Sequence, residues 1–284
     1  MNRSAAGVRY GMFGFLKKRR QNRIRNQSFP SEWRDLLLRR YPMYSRIPTA
    51  DRRELEGHIQ VFLAEKHFEG CGGQEITDEV RVLIAAQACL LLLHRETDCY
   101  PRLHSILVYP CSYVAPTWHL EKDGWTIAEG NQLRGGESWA HGTVVLAWDG
   151  AFAGAVELDK DRNLVLHEFA HQLDEEDGRA DGAPLLSGSN LRQIHHRYQT
   201  WARVLNAEFQ QLRRAAEDGR ETVLDTYGAQ NPAEFFAVAT ECFFEKPGRL
   251  QERHPALYAE LKEFYKQDPL LYAPAEPVKN ETPT

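Results

Sequence analysis

Apolar residues recur along this chain in changing textures, and each texture predicts a different element. From Ser31 to about His94 they fall at helical spacing: Leu36 to Leu38, then Leu55, Ile59, Phe62 and Leu63, then Val80, Val82 to Ile84 and Ala88 running into Leu90 to Leu93. Thr77 is placed to cap the last of these helices, and the whole stretch reads as a packing scaffold. Between Pro101 and Trp148 the runs shorten to Ser105–Tyr109 and Thr143–Trp148, set among Gly, Pro and Asp, which predicts a small sheet. Gly142 to Trp148 is a candidate sheet edge, to which an extended peptide can add as a strand; its apolar run fits an ordinary buried strand equally well.

Helices return after Asn163. Leu164, Val165, Leu166, Phe169, Ala170 and Leu173 make a helix through Asp174 almost entirely apolar, hence buried. Ile194, Tyr198, Trp201, Val204, Leu205, Phe209 and Leu212 mark one face of a long helix from near Asn190 to Glu217. Asn231 as N-cap, Pro232 at the first helical position and Glu234 in the first turn open a further apolar helix. Helices, a small sheet, then helices again is an α+β order.

The buried helix carries the candidate chemistry, because His167 and His171 stand four apart and share a face. Two neutral imidazoles at that spacing can hold zinc, and Glu168 between them sits where a general base for an activated water belongs. A single buried histidine is ordinarily satisfied within a core. Two histidines and a carboxylate in one apolar helix are costly unless each is partnered, and one metal ion partners them all.

A catalytic zinc generally keeps three protein ligands and one open position. Glu234 is the best-placed third donor, although an acidic residue in a first turn also suits the helix dipole. Glu241, two turns further on a similar face, is either the rival ligand or a carboxylate bonded behind one, and spacing does not separate these. Asp174 and Asp177 could bond the outer nitrogen of an imidazole, or simply belong to the polar surface loop that follows the helix. His195 and His196 are adjacent, face different directions and read as solvated.

Composition narrows the setting. The net charge of -5, from 40 acidic and 35 basic residues, demands no nucleic acid or anionic membrane. Cys71, Cys89, Cys99, Cys111 and Cys242 are scattered and odd in number, which reads as reduced cytoplasmic thiols. The apolar run ending at Leu16 precedes its basic residues, Lys17 to Arg20, Arg23 and Arg25, and is too short for a spanning helix; no stable membrane insertion is expected. The expected organisation is a flexible basic leader over 1–28, with weak membrane-surface contact as the alternative, one domain over 29–272, and a disordered tail over 273–284.

HEFAH at 167–171, LDEEDGRADG at 173–182 and YGAQNPAEFFAVATECFFEKP at 227–247 together resemble the Mlc titration factor A family of bacterial zinc peptidases. The likeness extends from the basic leader to the endings HPALY at 254–258 and YKQDP at 265–269. It implies a zincin-like metallopeptidase fold with a small mixed sheet and surrounding helices, similar to the catalytic domain of anthrax lethal factor. In that zincin a tyrosine lies seven residues before the glutamate ligand, and Tyr227 precedes Glu234 by the same spacing. The resemblance therefore implies one zinc per chain on His167, His171 and Glu234, base duty for Glu168 and transition-state support from Tyr227. It further implies a cytoplasmic aminopeptidase acting on peptides, or a regulatory protein that sequesters a transcriptional repressor of the Mlc type.

Overall fold

The helical texture of the first third is realised as α1 (16–25), α2 (Ser31–Arg40), α3 (Pro42–Arg46), α4 (Thr49–Glu65) and α5 (Asp78–Leu90). The computed structural model describes residues 16–272 apart from 112, 121–126, 135, 140–141 and 160–161. Thr77 caps α5 by accepting from the Val80 N–H at 3.3 Å. Of the leader expected to be flexible, 1–15 lies outside the described residues, whereas 16–25 is helical: Gln21 is buried and donates to Glu65 and Asp98. The expected tail, 273–284, lies wholly outside the described residues.

Four strands follow the order β1-β2-β6-β5, with β1 (His67–Gly70), β2 (Ser105–Tyr109) and β6 (Thr143–Ala147) parallel and β5 (Gly136–Trp139) antiparallel at one end. A separate antiparallel hairpin of β3 (Tyr113–Leu120) and β4 (Ile127–Arg134) is inserted between β2 and β5. The sheet corrects one expectation and decides between the two readings of Gly142 to Trp148. Strand β1 interrupts a stretch that reads as wholly helical; His-Phe-Glu-Gly has no alternating pattern and is held by its partner, with the His67 N–H donating to His104 O at 2.9 Å. Thr143–Ala147 is not an edge: it is paired on both sides and mostly buried, and Trp148 opens a helix instead of closing the strand. The edge on that side is β5, which runs alongside the helix carrying His167 and His171.

The remaining helices are α6 (Trp148–Val156), α7 (Leu164–Asp174), α8 (Leu191–Glu217), α9 (Pro232–Glu245), α10 (Pro247–Arg253) and α11 (Pro255–Tyr265). Three asparagines start three of them. Asn163, Asn190 and Asn231 each accept through Oδ1 from the backbone N–H three residues on, at 3.1, 3.0 and 3.0 Å; such caps stabilise a helix by about 1 kcal/mol each.

Helix α7 has two opposed faces. Phe169, two residues from His167, points away from it into an aromatic cluster, 4.9 Å from Tyr100 and 5.6 Å from Phe62 between ring centroids. Helix α9 is anchored likewise: Phe235 against Phe209, Phe236 against Trp201, and Phe243 stacked on Tyr265. The loop between α7 and α8 is tied down at Gly182, whose N–H donates to Asp174 at 2.8 Å and whose carbonyl accepts from Trp201 at 2.9 Å. Gly182 has φ +75, and a Cβ there would lie 2.5 Å from the Pro232 carbonyl oxygen, so this loop rests directly on the start of α9.

Phe169→Ala is expected to cost about 3–5 kcal/mol in urea unfolding, by emptying a fully buried aromatic site. Phe152→Ala, at a partly buried ring, should cost clearly less under the same conditions.

Candidate metal centre

Helices α7 and α9 pack side by side and bring together residues about seventy apart in sequence. His167 Nε2 lies 3.0 Å from Glu234 Oε2 and 3.2 Å from His171 Nε2, and His171 Nε2 lies 3.5 Å from Glu234 Oε2. Imidazole nitrogens at about 2.0–2.1 Å and a carboxylate oxygen at about 2.0–2.2 Å around tetrahedral zinc stand about 3.3–3.5 Å from one another. The triangle matches those separations to a few tenths of an ångström. Among the described residues this is the one cluster of three such donors close enough to share an ion. Its side chains keep 11–19% exposure, so the cluster opens to solvent on one side, as a site with a free coordination position requires.

The charges around the donors favour a cation. Burial opposes charging His167, but its contacts with Glu234 and Glu241 outweigh that cost and push its pKa up to about 10. Burial likewise opposes charging Glu234, and its bonds to His167 and His171 reverse the balance, bringing it down to about 2. A metal ion bound by these donors takes the place of the proton that they otherwise attract. Glu168, adjacent to His167 and 5% exposed, has its carboxyl pKa raised, chiefly by burial.

Glu241 stands on the far side of His167 from the triangle. Its Oε1 accepts from His167 Nδ1 at 2.7 Å, which leaves the Nε2 lone pair directed at the cluster. Its Oε2 accepts the Asn163 backbone N–H, the residue that caps α7. Glu245, one turn on, accepts from Asn163 Nδ2 at 2.9 Å, and the same amide donates to Gly154 O. Glu234, Glu241 and Glu245 follow i, i+7, i+11 spacing, so one face of α9 presents three carboxylates to α7.

Asp174 and Asp177 do not take the role considered for them. Asp174 Oδ2 accepts from Gly182, its Oδ1 has no hydrogen-bond partner among the described residues, and Asp177 accepts from the Arg179 N–H in its own turn. His195 and His196 are exposed on α8. Tyr227 lies in the turn Thr226–Ala229 with its ring centroid 5.9 Å from that of His167. Two residues invisible to motif reading accompany it: the Arg162 guanidinium carbon lies over the Tyr227 ring, 5.5 Å from its centroid, and Arg162 donates through Nε to Asp225 at 2.6 Å. Neither carries a sequence signal, whereas the carboxylate spacing on α9 was a signal available for Glu245.

Comparison with known proteins gives the family. A family model described as glucose-regulated metallo-peptidase M90 matches residues 15–266. The Synechocystis protein slr2042 is 42% identical over 254 residues, covering 89% of this chain and 90% of that one. Mlc titration factor A of Klebsiella pneumoniae is 32% identical over 237 residues, 81% of this chain and 84% of that protein. Its counterpart from Escherichia fergusonii is 30% identical over 260 residues, 89% and 92% of the two chains. With the α+β architecture of a zincin-like metallopeptidase around a three-donor cluster, this chain belongs to the M90 family of metallopeptidases.

Proposed function

We propose that this metallopeptidase is a zinc-dependent aminopeptidase, with His167, His171 and Glu234 holding one zinc, Glu168 as general base and Tyr227 as a donor to the transition state. The observation that carries the reading is the donor triangle of 3.0, 3.2 and 3.5 Å with a buried carboxylate one residue from its first member. Zinc, when bound, would supply Lewis acidity, lowering the pKa of a water toward about 7 and polarising a carbonyl.

The chain's own residues do the rest. Glu168 takes a proton from the attacking water and hands it to the departing amine; its buried surroundings raise its affinity for that proton. Glu241 holds His167 by Nδ1, fixing ring and tautomer. Tyr227, in ring contact with His167, donates its hydroxyl to the oxyanion of the tetrahedral intermediate, a bond strongest in the transition state. An extended peptide substrate adds to the outer edge of β5, the strand beside α7.

Scattered free cysteines support a cytoplasmic setting, and among the described residues no helix is long and apolar enough to cross a membrane. Aminopeptidase preference rests on the resemblance. The name of the relatives, Mlc titration factor A, supports a second and compatible reading, in which the protein binds a repressor of the Mlc type.

Glu168→Gln separates the two readings. It should lower hydrolysis of a chromogenic aminoacyl substrate by about 10²–10⁴-fold while zinc content and repressor binding persist; full turnover would remove Glu168 from the mechanism. Glu234→Ala should lose zinc on dialysis, whereas Glu241→Ala should weaken it about 10–100-fold, both read by metal analysis; the reverse order would make Glu241 the ligand. A peptide library offered with free and acetylated N-termini reads end specificity, and equal cleavage of both sets would exclude an aminopeptidase.

A further inference from the structure

Tyr227 stands on a turn of four residues, Thr226–Ala229, which is too short to orient a ring by itself. Its backbone is fixed from below: a Cβ at Gly228 would meet Leu212 Cδ2 and Val238 Cβ, both at 3.2 Å, so the turn sits tightly on α8 and α9. Its ring is fixed differently. Asp225 uses one oxygen, Oδ1, to accept the Tyr227 N–H at 2.8 Å and the other, Oδ2, to accept from Arg162 Nε at 2.6 Å. The guanidinium so held lies over the Tyr227 ring, 5.5 Å from carbon to centroid, and that ring in turn contacts His167.

We propose that Arg162 and Asp225 form a latch that positions Tyr227 against the metal cluster, which makes Arg162 a positioning residue for the reaction. The inference rests on the reading of Tyr227 as a transition-state donor. An ordinary surface ion pair contributes little to stability, and Arg162 is 67% exposed, so its loss should cost the fold little. What sets this pair apart is that the same carboxylate holds the backbone of Tyr227 and the cation lying on its ring. Arginine suits the task because its planar fork can bond a carboxylate through Nε while its face stacks on an aromatic ring, which a lysine ammonium cannot do. Arg162 also directly precedes Asn163, whose N–H is held by Glu241, so the latch joins the Tyr227 turn to the start of α7.

The test is a double-mutant cycle on the full-length, zinc-loaded protein, with kcat and KM measured for Tyr227→Phe, Arg162→Gln and the pair. Tyr227→Phe should lower kcat by about 10²–10³-fold, and Arg162→Gln by about tenfold with KM held within about twofold. The double variant should be no slower than Tyr227→Phe alone, and Arg162→Lys should recover only part of the loss. Multiplicative losses would show that Arg162 does not act through Tyr227. Unchanged kcat in Tyr227→Phe would refute the donor reading; the latch is then decided by a second measurement. Fluorotyrosine placed at 227 should give a ¹⁹F resonance that shifts and broadens in Arg162→Gln and in Asp225→Asn, with or without zinc. Arg213→Gln, whose guanidinium lies over Phe209, should leave it unmoved. A resonance indifferent to Arg162→Gln overturns the latch.

Discussion

Glu241 lies 4% exposed between α7 and α9 and accepts two hydrogen bonds from the same neighbouring helix, one from the Asn163 N–H at its start and one from the His167 imidazole a turn later. A carboxylate buried alone costs several kcal/mol, so the two helices are driven to meet where its partners are. The hydrophobic faces of α7 and α9 could pack in neighbouring registers, since apolar contact is not directional. The carboxylate makes one register far better than the others. That register puts Glu234 beside His167 and His171, and the cluster is a consequence of it.

The rest of the fold supports this contact from behind. Phe169 seats α7 against Phe62 and Tyr100, and the phenylalanines of α9 seat it against α8 and α11. Both helices therefore reach the site with apolar backs and polar fronts. Their fronts concentrate Glu168, Glu234 and Glu241 around two histidines, a crowding of negative charge that raises the affinity of His167 for a proton and favours a cation in the cluster. Glu245 shows the cost locally: burial lifts its pKa to about 7, and one of its oxygens has no hydrogen-bond partner among the described residues.

Much of this was legible in the sequence, for local reasons. The caps at Thr77, Asn163, Asn190 and Asn231 act within three residues, so the helix starts could be read directly. The spacing of His167 and His171 is likewise a property of one helix turn. What could not be read depended on partners far along the chain. Strand β1 exists because β2 lies beside it, and β6 is central because β5 returns antiparallel to cover it. Spacing alone did not show that Glu241 bonds His167 through Nδ1, and Arg162 is an unremarkable exposed arginine until Tyr227 lies beneath it.

The three carboxylates of α9 also constrain the lengths the chain can adopt. Each helical residue advances the side chain by about 100°, so one residue added between Glu234 and Glu241 would turn Glu241 out of reach of His167 while Glu234 stayed in place. A substitution can be answered by a compensating neighbour, but a shift of register on one helix has no such answer on the other. Insertions and deletions within α7 and α9 are thereby barred almost independently of which residues they involve. Tolerated changes of length belong outside the two helices, in the β3–β4 hairpin and in the parts of the α7–α8 loop beyond Gly182.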